Sequence, residues 1–218
     1  MQGMEIAIPL YDRFTMLDAV GPYQVLEALP ETHVRWLGPE AGPVQDESHA
    51  GAIVADATWE EMPRPDIVVV PGGFGTRKMM GDERMLAWLR EAHEHSRYTT
   101  SVCTGSLVLA AAGILEGLEA TSHWLELETL EQYGARPTPR RVVEQGKVIT
   151  AAGVSSGIDM ALRLTELLYG PEAAQAVQLA IEYDPQPPFD AGSPAKAPEP
   201  IVELVRSVMA AQQEGLGT

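Results

Sequence analysis

Cys103 is the only cysteine in 218 residues, and it lies in "TTSVCTGS" (99–106), where a β-rich run gives way to the apolar stretch "LVLAAAGIL". A lone thiol at a strand-to-helix turn is a candidate nucleophile. Such a turn pushes the side chain out of the carboxyl edge of a sheet, where open α/β folds bind ligands. The start of the helix adds unpaired N–H groups and a positive potential, both of which favour thiolate. Gly105 and Ser106 keep the neighbouring side chains small. A buried cysteine also serves as a small core hydrophobe, and both readings fit at this stage.

Other residues fall where they can meet that thiol. In "PGGFG" the N–H groups of Gly72 and Gly73, with that of Thr104, are placed to hold developing negative charge. An ordinary glycine turn reads the same way. Asp18 opens the helix in "LDAVGP"; aspartate is a preferred N-cap, and a cap can also serve as a catalytic acid. "AAGVSSGID" is a further turn of small residues, whose Val154 and Ser155 can wall a pocket or simply pack. His123 in "ATSHW" can pair with Cys103 or cap its own helix. Phe74, Val154 and Trp124 are candidate apolar walls. His33, His49, His93 and His95 lack partners at ligand spacing and read as surface residues. One cysteine excludes a cysteine-based zinc site and an intrachain disulfide, so no metal is expected.

These residues sit on an alternation of extended and helical patterns. Strands are expected at Glu5 to Tyr11, at His33 to Gly38, within "GAIVADATWEEM", at "PDIVVVPGG" and at "YTTSV". Helices are expected at Asp18 to Leu29, Asp82 to Ser96, Thr104 to Ala112, over "HWLELETLEQYG" and at Ser156 to Leu168, with a hairpin in "RRVVEQGKVITAAG". Strands separated by helices imply an α/β fold with a mostly parallel sheet covered on both faces. The proline-rich 184–200 reads as an ordered arm followed by a C-terminal helix over 201–213, and residues 1–218 as one domain.

Composition narrows the function classes. With 45% hydrophobic residues the chain can bury a core. A formal charge of -16 repels phosphate backbones and anionic lipid, so no nucleic acid or membrane partner is expected. "MQGMEIAIPLYDRF" lacks the pattern of a signal peptide, and the longest apolar run is far short of a bilayer span. The expectation is a soluble, cytoplasmic protein.

In order and spacing, "PDIVVVPGG", "TSVCTGSLVLAAAGIL", "EATSHW" and "GVSSGIDMAL" resemble the ThiJ/PfpI superfamily. Within it, "LDAVGP" and "QLAIEYDPQPPFDAGSP" resemble isocyanide hydratases. The resemblance implies a flavodoxin-like three-layer sandwich with a nucleophile elbow, a homodimer, and no metal or organic cofactor. It implies Cys103 as nucleophile, Thr104 as its elbow neighbour, Asp18 as the acid and a backbone contact from Val154. The implied reaction adds water to an isocyanide to give an N-substituted formamide through a thioimidate on cysteine. Two positions depart from other branches of the superfamily. Thr104 stands where protease-like relatives have histidine, and Asp18 takes the place of the glutamate typical of glyoxalase-like relatives. The alternatives are a glyoxalase-like enzyme and a non-enzymatic ligand or redox sensor. "LDxxGP" and "SVCTG" also resemble the ligand domain of AraC-type regulators, although the 18 residues after Pro200 are too few for their DNA-binding unit.

Overall fold

Ile67–Val70 reads IVVV, and every side chain in it is buried. Such a run suits a strand covered on both faces, because β-branched residues fit the pleat and leave no polar side for water. In the computed structural model, which describes residues 3–214, this strand is central in a seven-stranded sheet. In chain order the strands are β1 (Met4–Pro9), β2 (Thr32–Gly38), β3 (Gly42–Gln45), β4 (Ala52–Ala55), β5 (Ala57–Thr58), β6 (Ile67–Val70), β7 (Tyr98–Val102), β8 (Glu119–Ala120), β9 (Arg136–Pro137), β10 (Val142–Gln145) and β11 (Val148–Ala151). The helices are α1 (Met16–Leu26), α2 (Thr76–Met79), α3 (Glu83–His95), α4 (Gly105–Ala111), α5 (Leu127–Gln132), α6 (Ser156–Tyr169), α7 (Pro171–Ala180) and α8 (Glu199–Glu214).

The main sheet runs β10-β11-β7-β6-β1-β2-β5, parallel throughout except for the β10–β11 hairpin. Its inner five strands follow the order 2-1-3-4-5 of the flavodoxin-like fold. The order in which strands are added reverses between β1 and β6. Right-handed crossovers on either side of that reversal send helices to opposite faces. Accordingly α1 packs with α6, while α4 packs with α2, α3 and α5. The three-layer expectation holds.

Local chemistry sets the ends of these elements. Asp82 caps α3 by accepting the N–H groups of Arg84 and Met85. At the other end of α3, Lys147 Nζ donates to the carbonyls of His93, Glu94 and Ser96, placing a cation on the negative end of the helix. His93 is half-buried against Thr99 rather than a free surface residue. The sequence reading missed α7, which starts at Pro171 directly after Gly170. It also compressed "GAIVADATWEEM" into one strand where β4 and β5 lie, and overlooked β3, with which β4 pairs.

Contacts divide the chain into two compact units, one up to Ile181 and one from Glu182. The first holds the whole sheet. In the second, the prolines leave residues 184–198 without helix or strand ahead of α8.

The β6–β7–α4 junction is tight enough to demand glycine. A Cβ on Gly105 would lie 2.2 Å from the Val70 carbonyl oxygen and 2.8 Å from that of Pro71, both backbone atoms. Gly105→Ala is therefore expected to lower the unfolding free energy by about 1–3 kcal/mol, read from urea denaturation. Unchanged stability would mean that the elbow has slack.

Candidate active site

The elbow sets Cys103 in a left-handed backbone conformation, φ +57°. Its N–H donates to the carbonyls of Ala151 and Ala152, at 3.1 and 2.8 Å. Its own carbonyl accepts the hydroxyls of Ser106 and Ser122, each at 3.1 Å. The thiol thus emerges at the carboxyl edge of the sheet, beside the β1/β6 reversal, but it is buried rather than open.

Three loops converge on the sulfur. The N–H of Val154 and the N–H of Thr104 bear on it as donors, the Thr104 hydroxyl lies within hydrogen-bonding reach, and Asp18 meets it from the first turn of α1. Asp18 is fully buried; its Oδ2 accepts the N–H of Gly72 at 2.9 Å, and its Oδ1 has no nitrogen or oxygen partner. Gly72 must be glycine here, since a Cβ would sit 2.6 Å from Thr104 N and Oγ1 and 2.9 Å from Asp18 Oδ2. Gly73 donates its N–H to Thr104 Oγ1 at 2.9 Å.

Two expectations change on these facts. The N–H groups of Gly72 and Gly73 are not free to hold a developing anion, because Asp18 and Thr104 already take them. They position the acid and the elbow threonine instead. The surroundings of the thiol also work against its ionisation. Burial, reinforced by the Asp18 carboxylate, pushes the Cys103 thiol up, and the donors from Val154 and Thr104 only partly oppose that. The pull of a helix start is overcome by loss of water.

Burial likewise raises Asp18, to about 8, with the Glu47 carboxylate adding to the rise and the Gly72 N–H working against it. Glu47 is half-buried, is itself raised by burial, and accepts the Thr15 hydroxyl at 2.9 Å. Burial thus favours the protonated form of each member of the Asp18–Cys103 pair.

Of the other candidates, His123 lies at the start of a 3-10 turn (Trp124–Glu126), where its Nδ1 accepts the Leu125 N–H at 3.4 Å and its ring tilts onto Trp124. Burial lowers its pKa, with the Glu126 carboxylate opposing. The groups that bear on the thiol are Asp18, Val154 and Thr104, without His123. This favours the structural reading of the histidine. Arg77 of α2 bonds the buried Glu126 at 2.7 Å, tying the PGGFG loop to that turn. Phe74 and Val154 are partly buried on their loops. Among the described residues, no three side chains from His, Cys, Asp and Glu are grouped to hold a metal ion.

Sequence reasoning missed Tyr11, Thr76 and Glu47. Tyr11 Oη donates to Pro71 O at 2.6 Å and lies 3.1 Å from Thr76 Oγ1, which is 2.9 Å from Thr104 Oγ1. Each is separated from its partner by tens of residues. No local pattern marks them.

Residues 4–167 match the DJ-1/PfpI family. The chain is 43% identical to the isonitrile hydratase of Pseudomonas putida over 94% of its own length and 89% of that protein. It is 29% identical to the HTH-type transcriptional regulator CdhR of Pseudomonas aeruginosa over 79% of its length, spanning 52% of the regulator. Among solved structures it resembles a ThiJ/PfpI family protein from Pseudomonas syringae, with a TM-score of 0.93, 36% identity and coverage of 98% and 89% of the two chains. It shares the fold of Drosophila melanogaster DJ-1beta at a TM-score of 0.75 and 22% identity, covering 83% and 98%.

The raised carboxyl makes stability depend on pH. Native Asp18 keeps its proton up to about 8, whereas an unfolded aspartate releases it near about 3.9. Between those values the native state binds the extra proton, so stability is greatest at the acid end and is lost as pH rises. Asp18→Asn stays neutral at every pH. Its melting temperature should fall less than the parent's between about pH 5 and 8, and should exceed the parent's above that range. Equal slopes for the two proteins would mean that Asp18 ionises normally.

Proposed function

This chain belongs to the DJ-1/PfpI family, and from that premise we propose that it is an isocyanide hydratase, converting R–N≡C and water into the N-substituted formamide R–NH–CHO. The observation that carries this reading is the burial of Asp18 and Cys103 against each other. An isocyanide presents one terminal carbon that must accept both a nucleophile and a proton, and the pair offers the two at one point. The 43% identity to the Pseudomonas putida isonitrile hydratase supports the same reading.

Sγ of Cys103 bonds to the terminal carbon while Asp18 passes its proton to that carbon. The carboxylate takes up the thiol proton as the C–S bond forms. The net change is addition of S–H across one carbon, giving the thioimidate R–N=CH–S with Asp18 again protonated. The N–H groups of Val154 and Thr104 and the Thr104 hydroxyl stabilise whatever charge gathers on sulfur in the transition state. In the second half Asp18 protonates the imine nitrogen, and the carboxylate accepts a proton from the water that adds to the carbon. The adduct R–NH–CH(OH)–S then collapses. Asp18 takes the hydroxyl proton and returns one to the departing sulfur, which leaves the formamide and the free thiol. Each role is one of acid or base at a fixed place, and no cofactor enters.

We assign the reaction to the cytoplasm and the working form to a homodimer. In the second unit, Ile201, Leu204, Val205 and Val208 recur at i, i+3, i+4 and i+7 along α8 and are all exposed in the single chain. A continuous apolar stripe of this kind suits a partner subunit better than water.

Purified protein with an aryl isocyanide should release the formamide, and methylglyoxal should remain unconsumed. Cys103→Ala is expected to abolish turnover. Asp18→Asn should keep the fold and lose about 10²–10⁴-fold in kcat. Formamide formation by Cys103→Ala at the parental rate would remove covalent catalysis, and methylglyoxal consumption alone would favour the glyoxalase-like alternative. Analytical ultracentrifugation should give the mass of two chains, reduced to one by Leu204→Glu. A parental mass for that variant would take α8 out of the interface.

A further inference from the structure

Behind the sulfur, the hydroxyls of Tyr11, Thr76 and Thr104 stand in a row. Thr76 Oγ1 lies 3.1 Å from Tyr11 Oη and 2.9 Å from Thr104 Oγ1. At one end Tyr11 donates to Pro71 O at 2.6 Å. At the other, Thr104 Oγ1 accepts the Gly73 N–H at 2.9 Å. Tyr11 and Thr76 are buried, so water does not complete the set.

Each hydroxyl owns a single proton. That of Tyr11 is committed to Pro71 O, by the shortest bond of the row. The two remaining contacts must then be made with the protons of the two threonines. One arrangement makes both: Thr104 donates to Thr76, and Thr76 donates to Tyr11. In that arrangement Thr104 has nothing left for the sulfur. The opposite demand arises when charge gathers on Sγ, because the Thr104 hydroxyl is also within hydrogen-bonding reach of it. If Thr104 turns its proton to sulfur, Thr76 can donate to Thr104 and give up Tyr11, or keep Tyr11 and leave two threonine oxygens facing each other at 2.9 Å. The 3.4 Å contact from Thr104 Oγ1 to Gly73 O is a longer and weaker outlet for the same proton.

We propose that Tyr11 and Thr76 are positioning residues that compete with the Cys103 sulfur for the Thr104 proton. In the resting site the row of hydroxyls points away from a neutral thiol and ends on Pro71 O. As sulfur becomes negative the threonine protons rotate, and the row turns toward it. Only hydrogens move, so the reversal needs no rearrangement of the packed elbow. The competition concerns the thiol itself and holds whichever electrophile the site receives.

The direction of effect is unusual. Removing either competitor should make the sulfur easier to ionise, whereas loss of an ordinary supporting residue would make it harder or leave it alone. With one cysteine in the chain, thiolate absorbance near 240 nm, taken as the difference between each protein and its Cys103→Ser counterpart, follows this thiol alone. The titratable groups facing the sulfur are Asp18 and Tyr11, with Glu47 beyond Asp18. The paired subtraction cancels their own absorbance.

Tyr11→Phe and Thr76→Val should each move the thiol titration down by about one pH unit, the effect of one more hydrogen bond to a charged group. Thr76→Ser, which restores the hydroxyl, should titrate like the parent. Thr104→Val should move the titration up. In the double variants Tyr11→Phe/Thr104→Val and Thr76→Val/Thr104→Val the downward shift should vanish, because there is no proton left to release. Tyr11→Phe and Thr76→Val titrating at or above the parent would overturn the proposal. A downward shift that persists without the Thr104 hydroxyl would do the same, since it would report an opened pocket.

Discussion

Cys103 is held in a backbone conformation that an L-residue adopts at a cost of about 1–2 kcal/mol, and the site exists because its surroundings keep it there. Its N–H is bound by two carbonyls at the end of β11, those of Ala151 and Ala152, and its carbonyl by two serine hydroxyls, one in α4 and one ahead of the 3-10 turn. Relaxing φ to an ordinary value would break those four bonds together. The strain therefore has a purpose. It turns the thiol out of the strand direction, into the place where the N–H groups of Thr104 and Val154 can both reach it.

The sheet does the rest of the positioning. Asp18 arrives after β1, Gly72 after β6, Cys103 after β7 and Val154 after β11, and these four strands are neighbours in parallel register. A slip of one residue along any of them would move its loop by about 3.3 Å and turn the side chains to the other face. Packing then excludes water, and the exclusion sets the chemistry. A carboxyl with one N–H donor and no solvent is pushed toward its protonated form, and so is a sulfur in the same surroundings.

Much of this was legible in the residues. The Ile/Val run before PGG and the turn around Cys103 follow from strand and helix rules that act over a few positions, whereas Asp18, expected as the cap that opens α1, lies in its first turn with Thr15 at the cap. The same rules found the β10–β11 hairpin and the extent of α3. What stayed hidden depends on distance in space. That Gly72 and Gly73 spend their N–H groups on Asp18 and Thr104 cannot be read from "PGG", which looks like a free cradle until its neighbours are known. The burial that opposes ionisation of the thiol is hidden for a related reason, because helix potential is a local property and burial is not. Tyr11 reads as the last residue of a strand, and Thr76 as one of many threonines. Only the fold puts their hydroxyls in line with Thr104. α7 was missed although Gly170-Pro171 marks its start, because the segment was weighed as a motif instead of a periodic pattern.

The burial of the reactive pair has a bearing on what can approach it. The molecule as a whole is strongly acidic, yet burial disfavours the charged form of both reactive side chains. An ionic small molecule reaching them would have to shed its hydration without a counter-charge to receive it, a penalty of several kcal/mol. A neutral, poorly hydrated compound surrenders almost nothing on the same path. The enclosure thus sorts by hydration before any bond is made, and encounter with a neutral compound should be indifferent to ionic strength.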